Sequence, residues 1–302
     1  MKKKKYLFVL YMLLAITLAG GIFTKIFINI EERNEHTERI QVVTSFYPVY
    51  IAVKNVVGDS ETILLENLSE PQTGCMHDYQ LTAQDMKLLS KADIFIINGG
   101  GIETFLAEVG KVYPNLEISE TTKGLELQKE EGSENAHQWM DTRLYTQMVK
   151  NIADTLSRVD KKNASIYQEN ANIYCKKIEN LTNQIDTLKT EFKNNVVIFH
   201  EAYAYIAEQF GWNVVYCLNL DEERQVSAGE IADMLAIITK NQVSMIFAEE
   251  LYGKDMGETV EKETDSKVYY LDTLVRGNYE TDSYLTAMQK NIDIIKQALE
   301  EM

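Results

Sequence analysis

From Asp141 to Phe192 the chain contains neither glycine nor proline. An uninterrupted run of that length exceeds any ordinary strand and carries no turn chemistry, so it reads as helix. Its apolar residues agree. Tyr167, Ala171, Tyr174, Ile178, Leu181, Ile185 and Leu188 recur every three or four positions, which is one face of a helix. Asp160 or Asn163 can break the region into two helices. The second, near residues 163–192, reaches about 45 Å at the standard rise per residue. That is more than one small domain needs, so residues 161–193 are expected to link two domains.

The flanks support a linker. Before it, residues 40–45, 61–66, 93–98 and 116–118 read as short strands, with helical spacing of apolar positions at 48–58 and 82–91. After it come four compact apolar runs, 196–199, 214–218, 245–248 and 268–271. Helical segments near 201–210, 228–240, 254–264 and 281–300 separate or follow these runs. Strand and helix in alternation make a mostly parallel sheet. The expected fold class is therefore α/β: two lobes, each a small, mostly parallel sheet flanked by helices, joined by one long rigid backbone helix. The lobes are expected at residues 40–160 and 194–302.

Residues 1–30 have a different character. Lys2 to Lys5 lead into Tyr6–Thr24, which is uncharged and mostly apolar. As a helix that stretch is about 28 Å long, one bilayer core. The basic flank places the N-terminus in the cytoplasm and the remainder outside. Cleavage as a signal peptide, with secretion, is the rival, since Leu18-Ala19-Gly20 is small enough to be cut. Leu18-Ala19-Gly20-Gly21 also resembles a bacterial lipoprotein box, but Gly21 stands where the lipidated cysteine belongs, so lipidation there is impossible. An uncleaved anchor in the bacterial cell membrane is preferred. Residues 31–39, EERNEHTER, read as a tether, and His36 within it as an exposed, silent side chain.

With 30 Lys+Arg against 46 Asp+Glu, the net charge is −16. Such a surface repels phosphate backbones and excludes nucleic acid as a partner. The three cysteines, Cys75, Cys175 and Cys217, are widely spaced and odd in number, which is no disulfide framework.

Only four histidines occur. His77 follows a Pro/Gly loop and precedes a capping pattern, Thr82-Ala83-Gln84-Asp85. His137 lies just before the long helical region. His200 directly follows the run VVIF, and Asp272 holds the matching place after VYYL. Ligands bind at the carboxyl ends of strands in open α/β sheets. Three imidazoles and a carboxylate suit a borderline-soft divalent ion held tetrahedrally, which points to zinc. The donors divide between the lobes, so the site is expected in the cleft between them.

Several phrases resemble the TroA-like, helical-backbone binding proteins of zinc and manganese ABC importers. They are VVTSFYPVYIAVKNVVGD (42–59), HDYQLTAQDMKLLSKADIFIINGGGIETFL (77–106), HQWMD (137–141), FHEAYAYIAEQFG (199–211), IFAEELYGKDMGETVEKET (246–264), and LDTL followed by SYLTAMQKNIDIIKQAL (283–299). The resemblance covers about 260 residues and implies two α/β lobes on one rigid helix. It places the metal ligands on His77, His137, His200 and Asp272. It implies a non-enzymatic, monomeric protein that carries a divalent cation to a membrane ABC permease. Zn²⁺ is the expected ligand, because the third position is His200 where manganese members tend to have a carboxylate; Mn²⁺ is the alternative. Glu201 is expected to aim elsewhere, as consecutive residues after a strand rarely share a target. Glu249 reads as a cleft-lining group, Trp139 as packing behind His137, and Cys75 as an idle thiol or a spare ligand. The histidine-rich loop of some zinc members is missing before His137. A reading from another class is a zinc-dependent surface hydrolase with Glu201 or Glu249 as general base. Four protein donors would, however, leave no open position for water.

Overall fold

A computed structural model describes residues 39–130, 132–189, 194–220 and 224–302. The expected anchor, the tether through residue 38 and His36 lie outside these. Contacts group residues 41–60 and 65–302 into one compact unit that contains every element of the site described below. The described residues outside this unit, 39–40 and 61–64, are chiefly the strand ends Ile40 and Ile63–Leu64.

The first lobe begins with β1 (Ile40–Thr44), α1 (Tyr47–Val57), β2 (Ile63–Asn67), α2 (Ala83–Leu89), β3 (Ile94–Ile97), α3 (Leu106–Val112) and β4 (Glu117–Glu120). Its sheet has the order β2-β1-β3-β4, with β1–β3 and β3–β4 parallel. All four residues of β3 are apolar and buried, as a central parallel strand covered on both faces requires. After β3 the chain reverses through Asn98-Gly99-Gly100-Gly101. Gly100 has φ +67°, and a Cβ there would press on Leu127 and on Ala136, the residue before His137. Only glycine permits that approach.

A small antiparallel hairpin follows, β5 (Lys129–Glu130) with β6 (Ser133–Glu134). A 3₁₀ turn, Gln138–Met140, then leads into α4 (Thr142–Val159). Asp141 caps α4, accepting from Arg143 N at 2.6 Å and Leu144 N at 3.2 Å. The helical region breaks at Asp160–Asn163, and α5 (Ala164–Leu188) follows. At 1.5 Å per residue α5 is about 38 Å long.

The second lobe repeats the alternation: β7 (Asn195–Ile198), α6 (Tyr203–Phe210), β8 (Asn213–Cys217), α7 (Ala228–Asn241), β9 (Met245–Ala248), α8 (Glu250–Glu263), β10 (Lys267–Tyr270) and α9 (Ser283–Glu300). Its sheet is parallel throughout, in the order β10-β9-β7-β8. Val197, Ile246, Leu218, Met234 and Val260 form the centre of its core.

The expected face of α5 is buried at Tyr167, Ala171, Tyr174, Ile178, Leu181 and Ile185. It packs on α4, on α1 of the first lobe and on α9 of the second. Asn170 Nδ2 donates to Val56 O at 3.0 Å, while Lys177 Nζ reaches Asp282 at 2.9 Å. Tyr145 of α4 stacks on Tyr284 of α9, with ring centroids 3.8 Å apart, and donates to Pro48 O. The lobes also touch directly: Tyr47 Oη donates to Asn278 O at 3.0 Å, and Tyr50 lies 4.2 Å from the Tyr279 ring.

Because Ile178 is fully buried on this shared face, Ile178→Ala should lower unfolding stability by about 2–4 kcal/mol. Ile173→Ala, on the exposed side of the same helix, should stay within about 0.5 kcal/mol. Urea unfolding midpoints of the two variants check this.

Candidate metal centre

His77 sits in the loop between β2 and α2. That loop is held at its far end by the Thr82–Asp85 capping box, with Tyr79 Oη donating to Asp85 at 3.0 Å. Met76 is fully buried. Cys75 and His77 flank it, and their ligand atoms and that of His137 lie within 4.8 Å of one another.

His137 occupies the approach to α4 and is fully buried. Asn98 Nδ2 donates to Ala136 O at 3.0 Å, and Gln138 Nε2 donates to Asn98 Oδ1 at 2.7 Å, so the end of β3 grips both neighbours of the histidine. Asn135 sets the ring itself. Its Oδ1 lies 2.9 Å from His137 Nδ1 and accepts from His137 N, while its Nδ2 donates to Glu201 O at 3.0 Å. An amide oxygen can only accept, so Nδ1 carries the proton and Nε2 keeps its lone pair. Nε2 stands 3.4 Å from Cys75 Sγ.

His200 follows β7, where the backbone bends. Its Nδ1 receives Ala202 N at 3.1 Å, which pins the ring. The ring centroids of His77 and His137 are 5.1 Å apart, and those of His137 and His200 are 5.0 Å apart. The rings of His77, from the first lobe, and His200, from the second, therefore both neighbour His137, while among the described residues Cys75, His77 and His137 are the donors whose ligand atoms all lie within 4.8 Å of one another.

Glu201 does not aim elsewhere. Its Oε1 lies 3.3 Å from both His77 Nε2 and His137 Nδ1. The opposed geometry of successive strand residues does not apply, because His200 lies in a bend and Glu201 in a turn. His77 Nε2 is buried yet makes no hydrogen bond of acceptable geometry among the described residues, despite that carboxylate nearby. A buried nitrogen left without a hydrogen bond suits an atom that binds a cation.

Asp272 is placed next door. Asn291 of α9 accepts from its N and donates to its O, both at 2.8 Å, and Leu274 N donates to its Oδ1 at 2.7 Å. Asp272 lines an open cavity of about 690 Å³ with Glu249, Tyr252, Arg276 and Lys290. Glu249, Tyr252 and Arg276 also line a second cavity of about 20 Å³, whose other walls include Cys75, His137 and His200. Glu249 pairs with Arg276 at 2.6 Å, and Arg276 donates to Tyr252 Oη at 2.9 Å. Trp139 packs against His137, with ring centroids 5.0 Å apart, and donates from Nε1 to Thr273 O at 2.9 Å, joining His137's segment to that of Asp272.

The electrostatics divide the histidines. Burial, with His200 and His77 beside it, holds the His137 imidazole well below its ordinary range, so it is neutral and its lone pair is available. Cys75 and Glu201 push His77 up to about 10 against the effect of burial, so an ion must displace its proton. Burial raises Asp272, opposed by the hydrogen bond from Leu274 N and by Lys290 and Arg276.

Asn135, Arg276 and Glu103 escaped the sequence reading. Glu103 is buried and accepts from Asn98 N at 2.7 Å and Gly99 N at 3.1 Å, holding the loop that grips Ala136 and Gln138. Burial pushes its carboxyl from 4.5 to about 7. A raised acid is better protonated in the folded chain, so its contribution is intact below about pH 4.5 and is lost as pH climbs through about 7. Between pH 5 and pH 8, Glu103→Gln should therefore gain stability relative to the parent by on the order of 3 kcal/mol. Urea titrations of both proteins across that window check the sign.

The family model described as "ZnuA: Zinc-uptake complex component A periplasmic" matches residues 42–298. The high-affinity zinc uptake system protein ZnuA of Bacillus subtilis is 26% identical over 288 residues, covering 87% of this chain and 88% of that one. The manganese-binding lipoprotein MntA of Halalkalibacterium halodurans is 26% identical over 280 residues, covering 89% and 91%. Among solved structures, Zn(II)-bound AdcA from Streptococcus pneumoniae superposes with a TM-score of 0.74 at 25% identity, over 86% of this chain and 58% of that one. FpvC from Pseudomonas aeruginosa in complex with Mn²⁺ shares the fold, with a TM-score of 0.79 at 24% identity over 87% and 99%.

Proposed function

Because the chain belongs to the ZnuA family of metal-uptake binding components, we propose that it captures a divalent cation, zinc before manganese, between its lobes and delivers it to an ABC permease. The observation that carries this reading is that the His77 and His200 rings lie 5.1 and 5.0 Å from that of His137, with His137 and His200 lining a cavity of about 20 Å³. That volume accommodates one water or one ion and no organic molecule. The relatives' names divide between zinc and manganese, so the choice rests on the donors here. Three imidazole nitrogens favour zinc, whereas manganese prefers oxygen.

His77, His137 and His200 are the proposed constant ligands. Asp272, the expected oxygen donor, is placed to balance the ion's charge from the adjoining cavity; as a direct ligand it is the alternative tested below. Capture needs no bond made or broken within the protein. The ion exchanges hydration waters for ring nitrogens, and His77 gives up its proton. A helix packed on both lobes limits wide closure, so small loop shifts are the proposed route in and out. The chain works outside the cytoplasmic membrane as a monomer. Residues 1–30 would hold it near its permease and raise their effective concentration. Among the described residues no helix is long and apolar enough to cross a membrane, and the proposed anchor lies outside them.

Metal content and competition calorimetry test the reading. The gently purified chain should hold about one zinc and prefer it to manganese. His77→Ala and His200→Ala should each weaken zinc by about 10- to 100-fold or more, since even outer partners of ligands cost that much. Parent-like zinc binding by both variants would show the ligand assignment to be wrong.

A further inference from the structure

We propose that Cys75 binds the ion directly, so that a sulfur completes a set of three imidazoles. The inference rests on the metal reading above and specifies its fourth donor. The ligand atoms of Cys75, His77 and His137 all lie within 4.8 Å of one another. A tetrahedral zinc with Zn–N and Zn–S bonds of ordinary length holds neighbouring donors about 3.3–3.8 Å apart. The separation of 3.4 Å between Cys75 Sγ and His137 Nε2 is already of that size. Asn135 fixes the lone pair of His137 on that Nε2, facing the sulfur.

Two further observations place the thiol at the ion. Cys75 lines the cavity of about 20 Å³ together with His137 and His200, whereas Asp272 lines the larger cavity beyond. Cys75 is also in no disulfide, and Cys175 sits on α5, its Sγ directed at Thr146 O. On binding, a zinc–sulfur bond replaces a zinc–water bond, and the thiol proton leaves to solvent. A thiolate strengthens the preference for zinc, cadmium and other soft or borderline ions over manganese. The ligand class is therefore narrower than three histidines and an aspartate would select.

Cobalt(II) is the probe, titrated into the full chain under reducing, oxygen-free conditions. The parent should show the visible bands of tetrahedral cobalt together with a near-ultraviolet sulfur-to-cobalt charge-transfer band. Cys75→Ser should lose the charge-transfer band, bind zinc about tenfold or more weakly, and narrow the zinc-to-manganese ratio. Cys217→Ser should keep the band. In the parent, zinc should also protect Cys75 from alkylation, read by peptide mass; this needs no variant to fold. Cobalt bound without the sulfur band, a band that survives Cys75→Ser, or full alkylation of Cys75 in zinc-loaded protein would overturn the proposal while leaving the metal reading intact. Zinc affinity lowered by Asp272→Asn and unchanged by Cys75→Ser, with no sulfur band in the parent, would return the fourth place to the carboxylate. Failure of the parent to bind cobalt or zinc at all would overturn both.

Discussion

The buried face of α5 sets the scale on which everything else is arranged. It packs on α1 from one lobe and on α9 from the other, and metal bonds tolerate only about 0.2 Å of error. Ligands that come from opposite sheets can meet that tolerance only if the sheets are held rigidly. The helix supplies this with side chains that each contribute on the order of 1.5–3 kcal/mol when buried. Tyr145, stacked on Tyr284 and bonded to Pro48 O, adds a second brace of the same kind. The strand ends after β7 and β10, and the loops carrying His77 and His137, are then placed by the scaffold.

Within that frame the site depends on hydrogen bonds to backbone rather than on more metal ligands. Glu103 holds the turn after β3, the turn grips Ala136 and Gln138, and Asn135 orients the His137 ring between them. Trp139 reaches across to Thr273, and Asn291 clamps Asp272 from behind. Each of these groups is neutral or buried at its partner, so the cost of preparing the site falls on folding and not on ion capture. The acidic surface adds weak attraction for cations, screened within about 8 Å at physiological salt. Specificity must therefore come from the donors themselves.

What could be read in the sequence follows from burial. β3 and β9 are covered on both faces and appear as unbroken apolar runs, so their places were plain. The periodic face of α5 was equally visible. β5 and β6 contain no apolar residue and pair across Gly132, so no hydrophobic pattern announces them. α3 was also missed, because it buries only Val109. Histidine is rare in this chain, which made three imidazoles easy to single out. Asn135, Glu103 and Arg276 have common side chains whose meaning is set by partners distant in sequence. Glu201 lies in a turn, where strand alternation no longer holds, so the run before it does not reveal its approach to His77 and His137.

The proposed site requires imidazoles from both lobes to share one ion. Diffraction from zinc-loaded crystals, recorded on both sides of the zinc absorption edge, tests it most directly. One strong anomalous peak is expected within bonding distance, about 2.0–2.1 Å, of nitrogens from His77, His137 and His200 together. A peak bound by residues of a single lobe, or lying among surface carboxylates with the three rings empty, would contradict it.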